Sequence, residues 1–245
     1  MDTFVSNSLV NENETKWEDL HKKSSLKETR TTPSYAIRRI FSERNMIETS
    51  GTCSNTNTLE IGCGFGRNLL YLLENKFSGK YVGIDQTDIS ISKTSSLLNN
   101  YINHGIMKIL KENAGEQLPF SDESFDCVFD IMSAITFIPD EDLRLRYFDN
   151  ICRLLKPGGI YFFLCVRTEG FFKDKILDPN LGDESLFKRK FDNMIEKSYT
   201  SDELERYLHK LSLKKLDVVS EHIRAFGDEN FERENGFWFG CFMKG

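Results

Sequence analysis

The chain is poor in the features that would place it outside an aqueous, reducing setting. It has six cysteines, Cys53, Cys63, Cys127, Cys152, Cys165 and Cys241, and none stand in a Cys-x-x-Cys pair or at a zinc-ligand spacing. A disulfide framework and a structural zinc site are therefore not expected, and a reduced, intracellular setting is. No apolar run is long enough to cross a bilayer, and the N-terminus lacks the apolar core of a signal peptide, so the expectation is a cytosolic protein without a membrane partner. Positive charge is also in deficit. The formal net charge is −6, which argues against a general affinity for nucleic acid. The short basic clusters Arg38-Arg39 and Lys188-Arg189-Lys190 read as solvated helix faces. Histidine is scarce: His21, His104, His209 and His222 are the whole set. No internal repeat and no low-complexity tract occurs. What is abundant is phenylalanine, 20 residues, which points to a phenylalanine-rich core.

The most informative stretch is Leu59-Glu60-Ile61-Gly62-Cys63-Gly64-Phe65-Gly66-Arg67-Asn68. It reads as a buried strand, a glycine turn and the start of a helix whose apolar residues are Leu69, Leu70, Leu72 and Leu73. Glycines suit a turn where the chain bends sharply or a ligand touches backbone. The unpaired N–H groups of the helix start suit an anionic group. The spacing Gly62-x-Gly64-x-Gly66, followed by Arg67, departs from the dinucleotide pattern Gly-x-Gly-x-x-Gly. It favours S-adenosylmethionine over NAD. Glu60, Gly62, Cys63, Gly64, Gly66 and Asn68 are the candidate contacts of this turn. Asp85 ends the next apolar run, Tyr81-Val82-Gly83-Ile84, where a carboxylate can accept from a ribose diol, with Gln86 beside it.

Along the chain, residues 1–15 are polar and read as mobile or as ordered only on ligand binding, with a short helix beginning at Trp17. Thr32-Pro33 reads as a helix start, Thr32 capping, with an apolar face from Tyr35 to about residue 48. Residues 49–55 read as a loop. Strands are expected near 58–62, 80–85, 107–112, 125–131, 159–166, 213–223 and 236–243. Helices are expected near 66–76, 88–103, 140–154 and 201–211, the last capped by Ser201. That alternation implies an α/β, Rossmann-like, doubly wound sheet. Residues 1–48 form an N-terminal segment, a possible lid over cofactor or substrate, and 49–245 the main domain. Residues 167–199 are long for a connection and read either as a lid or specificity insert or as a peripheral helix on the sheet edge.

In open parallel sheets ligands bind beyond the carboxyl ends of the strands. That rule selects Asp130, Ile131 and Met132 after the fourth strand, Arg167 after the fifth, and His222 and Arg224 after the sixth. The last strand, if reversed, brings Trp238 to the same end. Arg167, Arg224, Trp238 and Tyr35 are candidate substrate contacts, and His222 is the candidate catalytic base.

With Leu118-Pro119-Phe120, Asp122-Glu123-Ser124-Phe125-Asp126-Cys127-Val128 and Leu154-Leu155-Lys156-Pro157-Gly158-Gly159 in order after the glycine turn, the chain resembles the class I S-adenosylmethionine-dependent methyltransferases over about residues 55–168. The resemblance implies a seven-stranded sheet with the last strand antiparallel. It implies S-adenosylmethionine as cofactor, S-adenosylhomocysteine as product, and no metal. It also places the adenine edge on the run Asn113-Ala114-Gly115-Glu116. Two departures stand out. The acidic residue common before Leu-Pro-Phe falls on Ala114 or Asn113, and the histidine common after the fourth strand is missing from Ala134-Ile135-Thr136-Phe137-Ile138-Pro139. The expected activity is methyl transfer to a small molecule. A protein or RNA acceptor, and a non-catalytic cofactor-binding protein of the same fold, are the alternatives; a nicotinamide oxidoreductase is disfavoured by Arg67.

Overall fold

A computed structural model describes residues 2–25, 31–42, 56–77, 79–170, 175–190, 192–219 and 235–245. The first glycine motif sits where β1 (Asn57–Ile61) gives way to α3 (Arg67–Glu74). β1 pairs in parallel with β2 (Lys80–Asp85) on one side and β4 (Phe125–Ile131) on the other; β3 (Met107–Lys111) extends the sheet beyond β2, and β5 (Leu155–Arg167) beyond β4. β10 (Phe237–Lys244) lies antiparallel between β5 and β9 (Leu211–Val219). The order β3-β2-β1-β4-β5-β10-β9 is the expected seven-stranded core with a reversed last strand.

Both faces of the sheet are covered. Leu69, Leu72, Phe129, Phe162 and Phe239 pack on the face that receives α2 (Tyr35–Ser42) and α3. Leu59, Phe148, Ile151, Tyr161, Phe163 and Leu204 pack on the other, under α7 (Glu141–Leu154) and α8 (Ser201–Tyr207). The alternation of Tyr161, Phe162 and Phe163 between the faces follows from the two-residue period of a strand. α7 starts where Asp140 accepts from the Leu143 N–H at 2.8 Å, with Glu141 and Asp142 in its first turn.

Several expectations are corrected. Over residues 2–15 the chain is helical rather than mobile: α1 runs from Asp2 to Ser25. It is seated by Asn13, whose amide donates to the carbonyls of Phe137 (3.0 Å) and Ile195 (2.9 Å) and accepts from the Ile195 N–H (2.9 Å). Polar composition hid a helix whose partners are backbone groups far away in sequence. At the next helix Ser34, not Thr32, bonds the first turn, through the Ile37 N–H. The 88–103 helix is broken at Leu98 into α4 (Asp88–Leu97) and α5 (Asn99–Asn103). α8 is capped by Thr200 in a capping box with Glu203, so Ser201 is its first residue rather than its cap.

In its described residues the 167–199 segment forms strands rather than a peripheral helix. β6 (Lys175–Ile176), β7 (Leu186–Arg189) and β8 (Ile195–Tyr199) form antiparallel pairs. β8 joins β5 in parallel through Val166 and Arg167, on reaching the stretch of β5 beyond its last pairing with β4 at Leu164. The sheet thus gains three strands. Arg189 is correspondingly not on a solvated helix face: it is fully buried in β7, paired with Asp192 and Glu196. Ile47, the 49–55 loop, Cys53, Phe171, Phe172 and Phe191 lie outside the described residues.

Candidate functional site

The turn after β1 is shaped by its glycines. Gly62, Gly64 and Gly66 have φ of 68°, 53° and 83°, a region that costs L side chains steric strain. A Cβ on Gly62 would stand 1.5 Å from the Ser133 hydroxyl oxygen, so this glycine also lets the segment after β4 close down on the turn. At Gly64 a Cβ would meet no described atom within 4 Å, so the turn presents bare backbone to an open side. The turn is pinned from β2 and α4. The Cys63 N–H donates to the Ile84 carbonyl (2.9 Å), the Gly64 N–H donates to Asp85 Oδ2 (3.0 Å), and the Thr94 hydroxyl donates to the Gly64 carbonyl (2.5 Å). Cys63 is buried, and burial pushes its thiol well above the ordinary range, so it acts as packing.

Two carboxylates flank the turn. Asp85 accepts at Oδ1 from the Thr87 N–H and hydroxyl, both at 3.0 Å. Glu60 is 1% exposed; its Oε1 accepts from the Asn68 amide at 2.8 Å, and Asn68 in turn accepts from the Ser34 N–H at 2.9 Å. Glu60 Oε2 has no partner among the described residues. Burial raises the Glu60 carboxyl to about 8, against the opposing pull of Asn68 and Arg67. A buried carboxylate oxygen without a donor, beside an exposed glycine backbone, fits a ligand that carries both an ammonium and a carboxylate.

Gln86, half-buried, lies between Asp85 and the start of α4. Beyond β3, Asn113 accepts from the Gly115 N–H at 2.9 Å, while Asn150 donates to the carbonyls of Ala114 and Glu116. Asp130 is held differently. Fully buried on the α7 side of the sheet, it accepts from the N–H groups of Ser133 and Ile135 and from the Tyr147 hydroxyl, each at 2.9 Å. Its side chain anchors α6 (Ala134–Phe137), and burial raises it to about 7. Ile131 is half-buried, and Met132, buried with φ of 55°, donates its N–H to the Leu164 carbonyl at 2.9 Å. At the end of β5 the Arg167 guanidinium lies over the Trp238 ring at 4.9 Å, and the Trp238 indole donates to the Tyr199 carbonyl at 2.9 Å. Tyr35 packs on the α2–α3 side, apart from this pair. His222 and Arg224 lie outside the described residues. His104 and His209 sit at exposed helix ends, each on a carbonyl of its own helix.

Sequence reasoning did not place His21 or Glu14 at the site. Asn13, Trp17 and His21 recur every four residues, which puts them on one face of α1. Trp17 meets Phe137 edge-on at 4.8 Å, and His21 lies 5.2 Å from the Phe65 ring. Glu14 stands beside Asn113, its carboxyl raised by burial and by Glu116 and Glu18. The helix therefore lies across the glycine turn, the starts of α4 and the loop after β3, and α6. That four-residue recurrence was the available signal. Among the described residues no cluster of three or more His, Cys, Asp or Glu is placed to hold a metal ion, and no helix is long and apolar enough to cross a membrane.

Residues 58–159 match the family described as "Methyltransferase domain". The erythromycin 3''-O-methyltransferase of Saccharopolyspora erythraea is 28% identical over 115 residues, 47% of this chain and 36% of that protein. The ubiquinone/menaquinone biosynthesis C-methyltransferase of Proteus mirabilis is 31% identical over 152 residues, 60% of this chain and 54% of that protein. The chain thus spans about half or less of the length of these curated relatives. A crystal structure of an S-adenosylmethionine-dependent methyltransferase from Methanosarcina mazei superposes with a TM-score of 0.64 at 23% identity, covering 78% of this chain and 93% of that one, a likeness of fold. Residues 58–159 are thus similar to a methyltransferase domain, and the fold is that of a solved S-adenosylmethionine-dependent methyltransferase.

Proposed function

We propose that the crevice binds S-adenosylmethionine and that the chain directs its methyl group to a small-molecule acceptor lying under α1. The observation that carries this reading is the buried, donor-less Oε2 of Glu60 beneath the Gly62–Gly66 turn. Glu60 would meet the ammonium of the cofactor's amino-acid end. The open backbone at Gly64 and the start of α3 would meet its carboxylate. Asp85 would accept from the ribose hydroxyls, with Gln86 alongside, and the Asn113–Glu116 loop would meet the adenine edge.

The bound cofactor supplies an activated methyl on sulfur. The residues of the chain then have two tasks, to orient and to exclude water. Orientation of reacting groups can be worth about 7–11 kcal/mol. Asp130 serves it at one remove, by holding α6 and hence Phe137 in place. Trp17 and Phe137 close the acceptor side against water. Arg167 and Trp238 form a cationic and aromatic wall at the end of β5; Arg224 and, separately from this wall, Tyr35 are assigned as further substrate contacts. His222 is assigned as the base where the acceptor must lose a proton. Small-molecule acceptors are supported by the named relatives, which by their names act on erythromycin and in ubiquinone/menaquinone biosynthesis, and by the net charge of −6.

Titration calorimetry with S-adenosylhomocysteine tests the cofactor. The wild-type protein is expected to bind, and Asp85→Ala to bind about 10- to 100-fold more weakly, the loss of charge-assisted hydrogen bonds. A wild-type protein with no affinity removes the reading. Formation of S-adenosylhomocysteine in a metabolite extract then separates an enzyme from a binding protein.

A further inference from the structure

His21 touches the cofactor crevice through a chain of hydroxyls. Its Nδ1 lies 2.9 Å from the Thr87 Oγ1 and 2.9 Å from the Ser90 Oγ; those two oxygens are 2.8 Å apart, and Thr87 Oγ1 is 3.0 Å from Asp85 Oδ1. Each hydroxyl has one proton. Asp85 as a carboxylate only accepts, so the Thr87 proton goes to Asp85. The Ser90 proton then goes to Thr87, because otherwise two oxygens 2.8 Å apart would face each other with no proton between them. Nothing is left to donate to His21, so Nδ1 must itself carry a proton. Thr87 Oγ1 has two lone pairs, and the Ser90 N–H (3.4 Å) and hydroxyl fill them, so the count leaves one arrangement: His21 Nδ1–H to Ser90, Ser90 to Thr87, Thr87 to Asp85. Burial holds the His21 imidazole below its usual pKa, with Asp85 opposing, which agrees with a neutral ring whose proton sits on Nδ1.

We infer that His21 is a positioning residue: seating α1 across the crevice completes a one-way hydrogen-bond chain that ends on Asp85, so the helix and the sugar-binding carboxylate are set together. The inference rests on the cofactor reading above. Among the described residues, Asp85 Oδ2 is engaged by the Gly64 N–H alone, and the chain to Oδ1 fixes the plane in which that oxygen is offered to a ribose hydroxyl. Chains of this kind polarise along their length. Ligand on Asp85 and helix on His21 therefore stabilise one another, as linkage requires.

The test uses the full chain and S-adenosylhomocysteine, read by calorimetry and by tryptic cleavage within α1 at Lys16, Lys22 and Lys23. His21→Phe keeps a ring against Phe65 and Trp17 but removes the donor. It is expected to lose about five- to tenfold in affinity, the cost of one hydrogen bond, and to lose the protection of α1 that the ligand confers on wild type. His21→Asn, which returns a donor near the Nδ1 position, should recover affinity to within about twofold. Thr87→Val removes the hydroxyl through which both His21 and Ser90 reach Asp85. It should weaken binding at least as much as His21→Phe, and the double variant should be no weaker than Thr87→Val alone. Wild-type affinity and wild-type protection in His21→Phe would overturn the inference while leaving the cofactor reading intact. Additive losses in the double variant would also overturn it. Absence of binding by the wild-type protein would remove both.

Discussion

The floor and the roof of the crevice are assembled over different lengths of chain. In the floor, Thr87 and Asp85 are 2 residues apart, Asn68 and Glu60 are 8, Gly64 and Asp85 are 21, and Thr94 and Gly64 are 30. In the roof, Asn13 reaches 124 residues to Phe137 and 182 to Ile195, and Glu14 reaches 99 to Asn113. Closing short loops costs less entropy than closing long ones. The floor can thus form from one β-α-β unit and its following helix, while the roof waits on the sheet, α6 and the β6–β8 insert. The lesson is a division of labour. The part proposed to grip the cofactor is local, and the part proposed to shape the acceptor side is long-range.

The sharpest break in that comparison is Gly62→Val. It would place a branched side chain at φ of 68° and into the Ser133 side chain. Strain and overpacking together are expected to cost about 3–5 kcal/mol, read as a fall in unfolding free energy in urea, with cofactor affinity lost alongside. A smaller effect separates charge from shape in the floor. Glu60 rises from 4.5 to about 8 on folding, so the folded chain keeps a proton that the unfolded chain releases. The unfolding free energy of the ligand-free protein should therefore be highest below about pH 4.5 as far as this group is concerned, and be eroded as pH climbs towards 8. Asp130, raised from 3.8 to about 7, tilts the curve the same way. Glu60→Gln should flatten the change in urea unfolding between pH 5 and pH 8 by on the order of 3 kcal/mol and weaken S-adenosylhomocysteine binding. An unaltered pH slope would show that the Glu60 carboxyl is not desolvated.

The roof responds more gently. Asn13→Ala removes two donated bonds and one accepted bond at once. An expected loss of about 1–3 kcal/mol should appear as faster hydrogen exchange in α1 and at Ile195. Affinity for S-adenosylhomocysteine should stay within about threefold, since Asn13 sits two helical turns from His21. Equal damage to stability and to cofactor affinity would erase the distinction between floor and roof.

Much of this molecule was legible before its structure. The β4 boundaries, the glycine turn and Asp85 follow from patterns whose physical cause lies within a few residues: alternation, a glycine needing positive φ, an acidic residue ending an apolar strand; the reversal of β10 was implied by the family resemblance alone. The residues that escaped, or changed meaning, are those whose partners lie elsewhere. Asp130 reads as a crevice residue from its place at a strand end. It turned instead to cap α6 and meet Tyr147, because three donors converge on it there. Arg189 reads as a surface charge. It is buried because Asp192 and Glu196 return beside it in the β7–β8 hairpin and the Phe137 ring lies 5.4 Å away.

By itself, the order of residues determined a doubly wound sheet, a glycine turn opening a helix, and a carboxylate one strand away, because each is encoded by chemistry in close succession. Only the tertiary structure decided that a polar N-terminal stretch becomes a helix across that turn, that the insert widens the sheet, and that His21 stands in line with Asp85. Those outcomes depend on backbone and side-chain groups brought within 3 Å of one another from distant parts of the chain, and such pairings leave no local pattern to read.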